Sequence, residues 1–147
     1  MKLKIAWVGK TKDPSFQALT DEYLKRISRY ADVEGLALAD ESAILNLREK
    51  AASHPSHTLV LLDSRGKQFA SEELAQFLQN HQDRNPKPLV FAIGPADGFS
   101  EKARKSAAAV LSLGKMTLPH ELARIVLLEQ VYRAFTILQG HPYHSGH

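Results

Sequence analysis

Short apolar segments alternate with amphipathic segments along this chain, and that alternation constrains the fold more than any other feature. Five segments have the length and composition of buried strands, and they cover residues 3–8, 33–38, 58–63, 88–94 and 110–113. Apolar residues at helical spacing follow the first strand, at Phe16, Leu19, Tyr23 and Ile27. Strands separated by helices favour an α/β fold with a largely parallel sheet.

Four further helices are predicted, and the last of them is unusual. They cover residues 44–51, a segment that begins at Ser71, residues 100–109 and residues 119–139. Residues 53–55 end the first of these four, and residues 64–67 are predicted to form a turn after the third strand. The last helix is apolar on most of its circumference, which a single amphipathic stripe does not require. It therefore predicts cover from a partner subunit.

Composition narrows the class of protein. A chain of 147 residues, 44% of them hydrophobic and 24% charged, predicts one globular domain over residues 1–147. The absence of cysteine excludes disulfides, thiolate metal sites and cysteine nucleophiles. No apolar run approaches the length of a membrane span, and the amino terminus has a strand pattern in place of a signal peptide. A cytoplasmic protein with no membrane partner is expected.

Three predicted strands end in similar small or polar turns, at Leu62, Ile93 and Leu113. Ligands of α/β sheets bind beyond the carboxyl ends of strands, so these ends form a candidate site, although ordinary strand–turn junctions explain them equally well. The glycine spacing fits neither a dinucleotide-binding fingerprint nor a phosphate-binding loop. A classical nucleotide site is therefore not indicated.

Basic residues near the carboxyl terminus allow several interpretations. His141, His144 and His147 are spaced by three, but a solvated polar tail is a better interpretation than a metal site, and no metal is expected. Arg124 and Arg133 lie on the last predicted helix. Solvent exposure is the simplest expectation for both, with a functional face as the alternative.

Residues 111–120, 124–135 and 141–144 together resemble the RlmH-type pseudouridine methyltransferases of the SPOUT superfamily. The resemblance extends over the whole chain, because residues 8–10, 22–26, 62–67 and 93–98 also fit. It implies an α/β parallel-sheet domain with a trefoil knot at its carboxyl-terminal end. It also implies a homodimer that uses S-adenosylmethionine to methylate N3 of a pseudouridine in large-subunit (23S) ribosomal RNA, on assembled ribosomes.

The resemblance assigns site residues by their place in these motifs. Arg133, Tyr143 and His144 are implied as catalytic residues. Tyr143 offers a face for stacking on a base, His144 a group that exchanges a proton near neutral pH, and Arg133 a positive charge. The cofactor pocket is implied to contain Leu62, Gly94, Leu113, Gly114, Lys115, Met116, Thr117 and Leu118.

Two departures from the family pattern keep an alternative open. Pro95 stands where the family commonly has a second glycine. Residues 145–147 follow His144, where the family commonly ends with a basic residue. These departures motivate the alternative of a catalytically inactive knotted RNA- or ribosome-binding protein. A third alternative, an unrelated nucleotide-dependent enzyme, is disfavoured by the missing phosphate motifs.

Overall fold

The computed structural model describes residues 1–49 and 57–144, and the side chains of Arg48, Glu49 and His144 lie outside this description. The elements in chain order are β1 (Lys2–Val8), α1 (Pro14–Ile27), β2 (Asp32–Leu38), α2 (Glu41–Glu49), β3 (Thr58–Gln68), α3 (Ser71–Arg84), β4 (Leu89–Ile93), α4 (Glu101–Ser106), β5 (Ala109–Ser112), α5 (His120–Leu138) and a 3-10 turn (Pro142–His144). Within the described ranges, no helix is long and apolar enough to cross a membrane.

The five strands form one sheet in the order β2-β1-β4-β3-β5, and every neighbouring pair is parallel. The predicted α/β parallel-sheet fold is thus confirmed. Because all strands run in one direction, their carboxyl ends lie along a single edge of the sheet. The loops that follow β1, β3, β4 and β5 are therefore brought to the same side of the molecule.

Helices cover both faces of the sheet, as side chains that alternate along each strand require. Val60 and Leu62 belong to the apolar cluster beneath α1, α3 and α5, whereas Leu59 and Leu61 belong to the cluster beneath α2 and α4. The first cluster is the larger, and α5 packs against both α1 and α3 in it.

Helix α5 is apolar on most of its circumference mainly because other elements of the same chain cover it. Two neighbouring helices and the sheet bury its central residues, among them Leu127, Leu128 and Val131. A partner subunit is therefore needed to cover less of this helix than the sequence indicated. Arg124 is also buried, at 1% exposure, so the expectation that it is solvent-exposed is wrong.

Strand β3 is longer than predicted, because residues 64–67 continue it to Gln68 instead of forming a turn. Its pairing with β5 shifts register between Leu62 and Lys67, which is an irregularity of the kind a β-bulge produces. Two other boundaries also differ. The helix after Ser100 ends at Ser106, because β5 begins at Ala109. Helix α2 begins at Glu41, and its predicted end at residues 51–55 lies outside the described residues.

We expect Gly66→Ala to destabilise the fold markedly. A Cβ atom at this position would lie 2.6 Å from the backbone carbonyl carbon and oxygen of Val110, and backbone atoms cannot rotate away as a side chain can. Overpacking of this kind costs about 3 kcal/mol, which corresponds to a fall of roughly 10 °C in melting temperature for a domain of this size. Thermal unfolding followed by circular dichroism measures it. Gln68→Ala, at an exposed position of the same strand, is the control and should change stability by less than about 0.5 kcal/mol.

Candidate functional site

A cavity of about 550 Å³ lies at the carboxyl edge of the sheet, within the usual size range for small-molecule sites. Its walls are the end of β3, the loops after β4 and β5, and the first two turns of α5. The lining residues are Leu62, Asp63, Ser64, Arg65, Ile93, Gly94, Pro95, Ala96, Asp97, Gly98, Ser112, Leu113, Gly114, Met116, Thr117, Leu118, Pro119, His120 and Ala123. All three strand ends that the sequence singled out thus contribute to one cavity.

Asp63 connects the end of β3 to the loop after β4. Its buried carboxylate accepts the backbone N–H of Arg65 at 3.0 Å and that of Phe99 at 3.1 Å. A turn in this loop is closed by the N–H of Gly98, which donates to the carbonyl of Pro95 at 2.9 Å. Gly98 has φ +85°, and a Cβ atom there would lie 3.1 Å from Asp63 Oδ2. The turn therefore requires glycine, and Pro95 takes part in it through its carbonyl oxygen.

The loop after β5 presents open backbone and exposed apolar side chains. Ser112 Oγ accepts a hydrogen bond from the N–H of Gly114 at 3.1 Å and donates one to its carbonyl at 2.8 Å. These bonds make the chain turn directly after β5. Gly114 has φ +146°, and a Cβ atom on it would meet no atom within 4 Å. Met116 is 86% exposed and Leu118 39%. This loop can therefore approach a ligand through both backbone and apolar groups.

The structure brings together seven of the eight residues assigned to the cofactor pocket. Those that line the cavity are Leu62, Gly94, Leu113, Gly114, Met116, Thr117 and Leu118. Lys115 is exposed and is not among the lining residues. Gly94 also has a role in the core, because a Cβ atom on it would lie 3.0 Å from the buried ring of Phe99. Their role as cofactor contacts remains a prediction.

A second group of polar side chains, here called the tail cluster, comprises Glu129, Arg133 and Tyr143. The Glu129 carboxylate accepts hydrogen bonds from Arg133 Nη2 at 2.7 Å, from Arg133 Nε at 3.1 Å and from the Tyr143 hydroxyl at 2.9 Å. Arg133 Cζ lies 5.2 Å from the centroid of the Tyr143 ring, and Tyr132 meets that ring edge-on at 4.8 Å. The tail is thus attached to α5, and Arg133 is half-buried rather than solvent-exposed.

Two members of the tail cluster, Arg133 and Tyr143, have raised pKa values. Burial, followed by the hydrogen bond to Glu129, raises the pKa of Tyr143 well above its ordinary value near 10. The hydrogen bond to Glu129 also raises the pKa of Arg133. Near neutral pH, Tyr143 is therefore a neutral phenol that donates a hydrogen bond, and Arg133 is a cation.

The tail cluster and the cavity lie at different ends of α5. Ala123 lines the cavity, and Arg133 follows ten residues later, which is about 15 Å along a helix axis. Neither Arg133 nor Tyr143 lines the cavity. The side chain of His144 lies outside the described residues. Within one chain, the predicted catalytic and cofactor residues therefore form two separate groups.

Sequence reasoning missed Glu129, although it accepts hydrogen bonds from both other members of the tail cluster. The available signal was its position four residues before Arg133, the spacing at which oppositely charged side chains meet on a helix. Among the side chains that the structure describes, no group of three His, Asp or Glu residues could hold a metal ion. His141 Nδ1 instead lies 2.7 Å from the Tyr30 hydroxyl, and His147 is outside the described residues.

Comparison with known proteins identifies the family of the whole chain. A family model described as "Predicted SPOUT methyltransferase" matches residues 1–144. A protein of Koribacter versatilis named ribosomal RNA large subunit methyltransferase H is 58% identical over 147 residues and covers all of both chains. Proteins of the same name from Geotalea daltonii and Gloeobacter violaceus are each 44% identical, over 98% and 99% of this chain and 99% and 100% of their own.

Two solved structures share the fold at low sequence identity. A probable methylase family protein from Haemophilus influenzae superposes with a TM-score of 0.57 at 10% identity, over 94% of this chain and 66% of that one. The SpoU methyltransferase AviRb from Streptomyces viridochromogenes, solved with AdoMet, gives 0.50 at 13%, over 90% of this chain and 57% of its own. The full-length family match, together with 58% identity to a relative of equal length, shows that this chain belongs to the SPOUT methyltransferase family, among the proteins named ribosomal RNA large subunit methyltransferase H.

Proposed function

We propose that this chain transfers a methyl group from S-adenosylmethionine to N3 of a pseudouridine in large-subunit ribosomal RNA, on the assembled ribosome. The observation that carries the proposal is the cavity at the carboxyl ends of β3, β4 and β5, in a chain that matches the family over residues 1–144. The relatives are named for methylation of large-subunit ribosomal RNA. A cytoplasmic location follows from this substrate.

The cavity suits S-adenosylmethionine in size and chemistry. Leu62, Ile93 and Leu118 supply apolar walls for an adenine ring, and the loops after β4 and β5 supply backbone groups to bind its polar edge. Asp97 supplies a carboxylate among the lining residues, whereas the carboxylate of Asp63 is bonded to backbone N–H groups and lies 3.8 Å from Arg65 Nε. S-adenosylmethionine would supply an already activated methyl group, so the protein has chiefly to orient the reactants.

The tail cluster and His144, which follows Tyr143 in the chain, would supply the groups that the RNA base requires. The imide N–H of pseudouridine must lose its proton for N3 to accept a methyl group, and His144 is assigned to receive or relay that proton. Arg133 carries a positive charge that would stabilise the negative charge developing on the ring carbonyls. Tyr143 is held neutral and bonded to Glu129, so its role is stacking and hydrogen bonding rather than proton abstraction.

A homodimer would join the two groups. Because about 15 Å of helix separates Ala123 from Arg133, the tail cluster of one chain is assigned to the cavity of the other. Among the described residues, five large apolar side chains are exposed. Leu19 is one of them, and the other four lie within residues 113–122 beside the cavity: Leu113, Met116, Leu118 and Leu122. An apolar surface of this kind is typical of an interface. The carboxyl-terminal trefoil knot is part of the same proposal.

Calorimetric titration with S-adenosylmethionine, followed by methylation of ribosomes from a strain that lacks the enzyme, tests the proposal. We expect the wild-type chain to bind the cofactor and to add one methyl group to a pseudouridine, which mass spectrometry of ribosomal nucleosides detects. Ala123→Phe should abolish cofactor binding because its ring would occupy space that the cofactor needs in the cavity, whereas Ala123→Ser, the matched control, should retain it. Ribosome binding without cofactor binding would instead support the inactive RNA-binding protein that Pro95 suggested.

A further inference from the structure

Arg124 is buried, but no carboxylate lies within ion-pair distance of it among the described residues. It is 1% exposed, and its Nη1 donates to Thr11 Oγ1 at 2.7 Å and to Thr20 Oγ1 at 3.2 Å. Its Cζ lies 4.0 Å from the centroid of the Trp7 ring, and its Nε has no hydrogen-bond partner in the described part of the chain. Burial of a guanidinium without an anion is costly, so its contacts need an explanation.

These contacts hold the loop of residues 9–13, which joins β1 to α1. Gly9, at φ +93°, begins the loop, and its N–H donates to the carbonyl of Leu38 at 2.9 Å. Thr11, in the middle of the loop, accepts a hydrogen bond from Arg124. Lys12 N–H donates to Glu121 Oε1 at 3.1 Å, and the Asp13 side chain caps α1. Hydrogen bonds therefore hold the loop at both of its ends and at two positions between them.

The same two turns of α5 form one wall of the cavity. His120 and Ala123 line the cavity, whereas their neighbours Glu121 and Arg124 contact residues 9–13. The loop also follows β1, whose neighbour in the sheet is β4, and the segment after β4 lines the cavity. Residues 9–13 thus lie beside the site of methyl transfer.

This loop has an excess of positive charge. Lys10 and Lys12 are exposed, and neither side chain forms an ion pair with any described residue. The charge of Arg124 lies beneath them, and the nearest carboxylate that acts on it is that of Glu121. Positive charge that protein carboxylates do not neutralise attracts phosphate groups, and phosphate contacts position a protein on RNA without reading sequence.

We propose that Arg124 is a positioning residue, which holds Thr11 so that Lys10 and Lys12 contact the RNA phosphate backbone beside the cavity. The proposal rests on the proposed function, because it takes ribosomal RNA as the substrate. It assigns residues 9–13 as an RNA contact separate from the tail cluster. Arg124 itself touches neither RNA nor cofactor, and acts through the position of the loop.

Lys10→Gln with Lys12→Gln tests the contact directly. We expect the KM for ribosomes to rise about tenfold. The slope of log binding constant against log salt concentration should become shallower by the amount that the loss of about two phosphate contacts produces. The kcat and the affinity for S-adenosylmethionine should be unchanged. Lys2→Gln with Lys87→Gln removes the same charge at the opposite edge of the sheet and should change neither KM nor salt dependence. Equal effects from both pairs would overturn the contact.

Thr11→Val and Thr20→Val test whether Arg124 positions the loop. Each variant removes one hydroxyl that accepts a hydrogen bond from Arg124, but only Thr11 lies in the loop. We expect Thr11→Val to raise the KM for ribosomes at least about threefold, whereas Thr20→Val should not. Added to the lysine pair, Thr11→Val should raise KM no further, because the contacts it positions are already absent. Equal KM values for the two threonine variants, or an additive effect with the lysine pair, would overturn the positioning role.

The wild-type chain separates this proposal from the proposed function. Wild-type chain that binds S-adenosylmethionine but never methylates ribosomes would contradict the proposed function. The salt dependence of ribosome binding by Lys10→Gln with Lys12→Gln would then decide the RNA contact. If the wild-type chain methylates ribosomes and Lys10→Gln with Lys12→Gln does not raise the KM for ribosomes, only the RNA contact is contradicted.

Discussion

We expect that mixing two inactive variants of this chain restores methylation of ribosomes. The first variant lacks residues 141–147 and keeps an intact cavity, and the second carries Ala123→Phe and keeps an intact tail. In a mixed dimer, the tail of the second chain completes the cavity of the first, which gives one working site of two. Random pairing limits the recovered activity to about one quarter of the wild-type value, because half of the dimers are mixed.

Each variant alone should be nearly inactive, for a different reason. Deletion of residues 141–147 should leave affinity for S-adenosylmethionine and dimerisation intact and lower turnover by about a thousandfold, because Tyr143 and His144 are lost. The deletion also removes the contact of His141 with Tyr30, so the full-length variant Tyr143→Ala serves as a second partner that keeps it. A mixture that stays inactive while light scattering reports mixed dimers would show that each tail serves its own subunit.

Glu129→Gln should lower kcat about a hundredfold with little change in cofactor affinity. Glutamine keeps the size of the side chain but removes the negative charge that holds Arg133 and Tyr143 together. An uncompensated Arg133 then moves away from the Tyr143 ring, and the base loses its oriented partners. Glu34→Gln, an exposed carboxylate outside the tail cluster, should leave kcat unchanged. A full-activity Glu129→Gln enzyme would remove the tail cluster from the proposed mechanism.

The same variant has an expected effect at alkaline pH. The raised pKa of Tyr143 means that the folded chain keeps a proton which the unfolded chain loses, so stability falls as pH rises above about 10. Burial contributes most to this shift, and the bond to Glu129 contributes less. Glu129→Gln should therefore reduce the loss of stability without removing it. Denaturant unfolding between pH 9 and about 11 measures the difference.

The sheet and the cavity could be predicted because they depend on local pattern. Apolar runs such as that of β4, which is buried at all five residues, specify parallel strands, and parallel strands place their carboxyl ends together. Leu62, Gly94 and Leu113 were therefore expected at one edge, and they meet there. The extension of β3 was missed because Ser64, Arg65 and Gly66 have turn composition, and only the close approach of the β5 backbone shows why they continue a strand.

The tail cluster and the buried arginine could not be predicted in the same way. Glu129 meets Tyr143 only because the chain reverses at Gly140, which has φ +71°, and returns along α5. That path depends on tertiary packing. Arg124 lies on a helix that is apolar almost all round, so the sequence pattern offers no polar face from which its burial could be inferred.

The position of two groups on one straight helix has a consequence for the length of the chain. Ala123 lines the cavity and Glu129 holds the tail cluster, with six helical steps between them. One inserted residue would rotate the tail cluster by about 100° and shift it by about 1.5 Å, which would separate it from the surface it serves. Substitutions along this interval can be absorbed by repacking, whereas insertions and deletions cannot. Any relative that keeps both groups must therefore keep the number of residues between them.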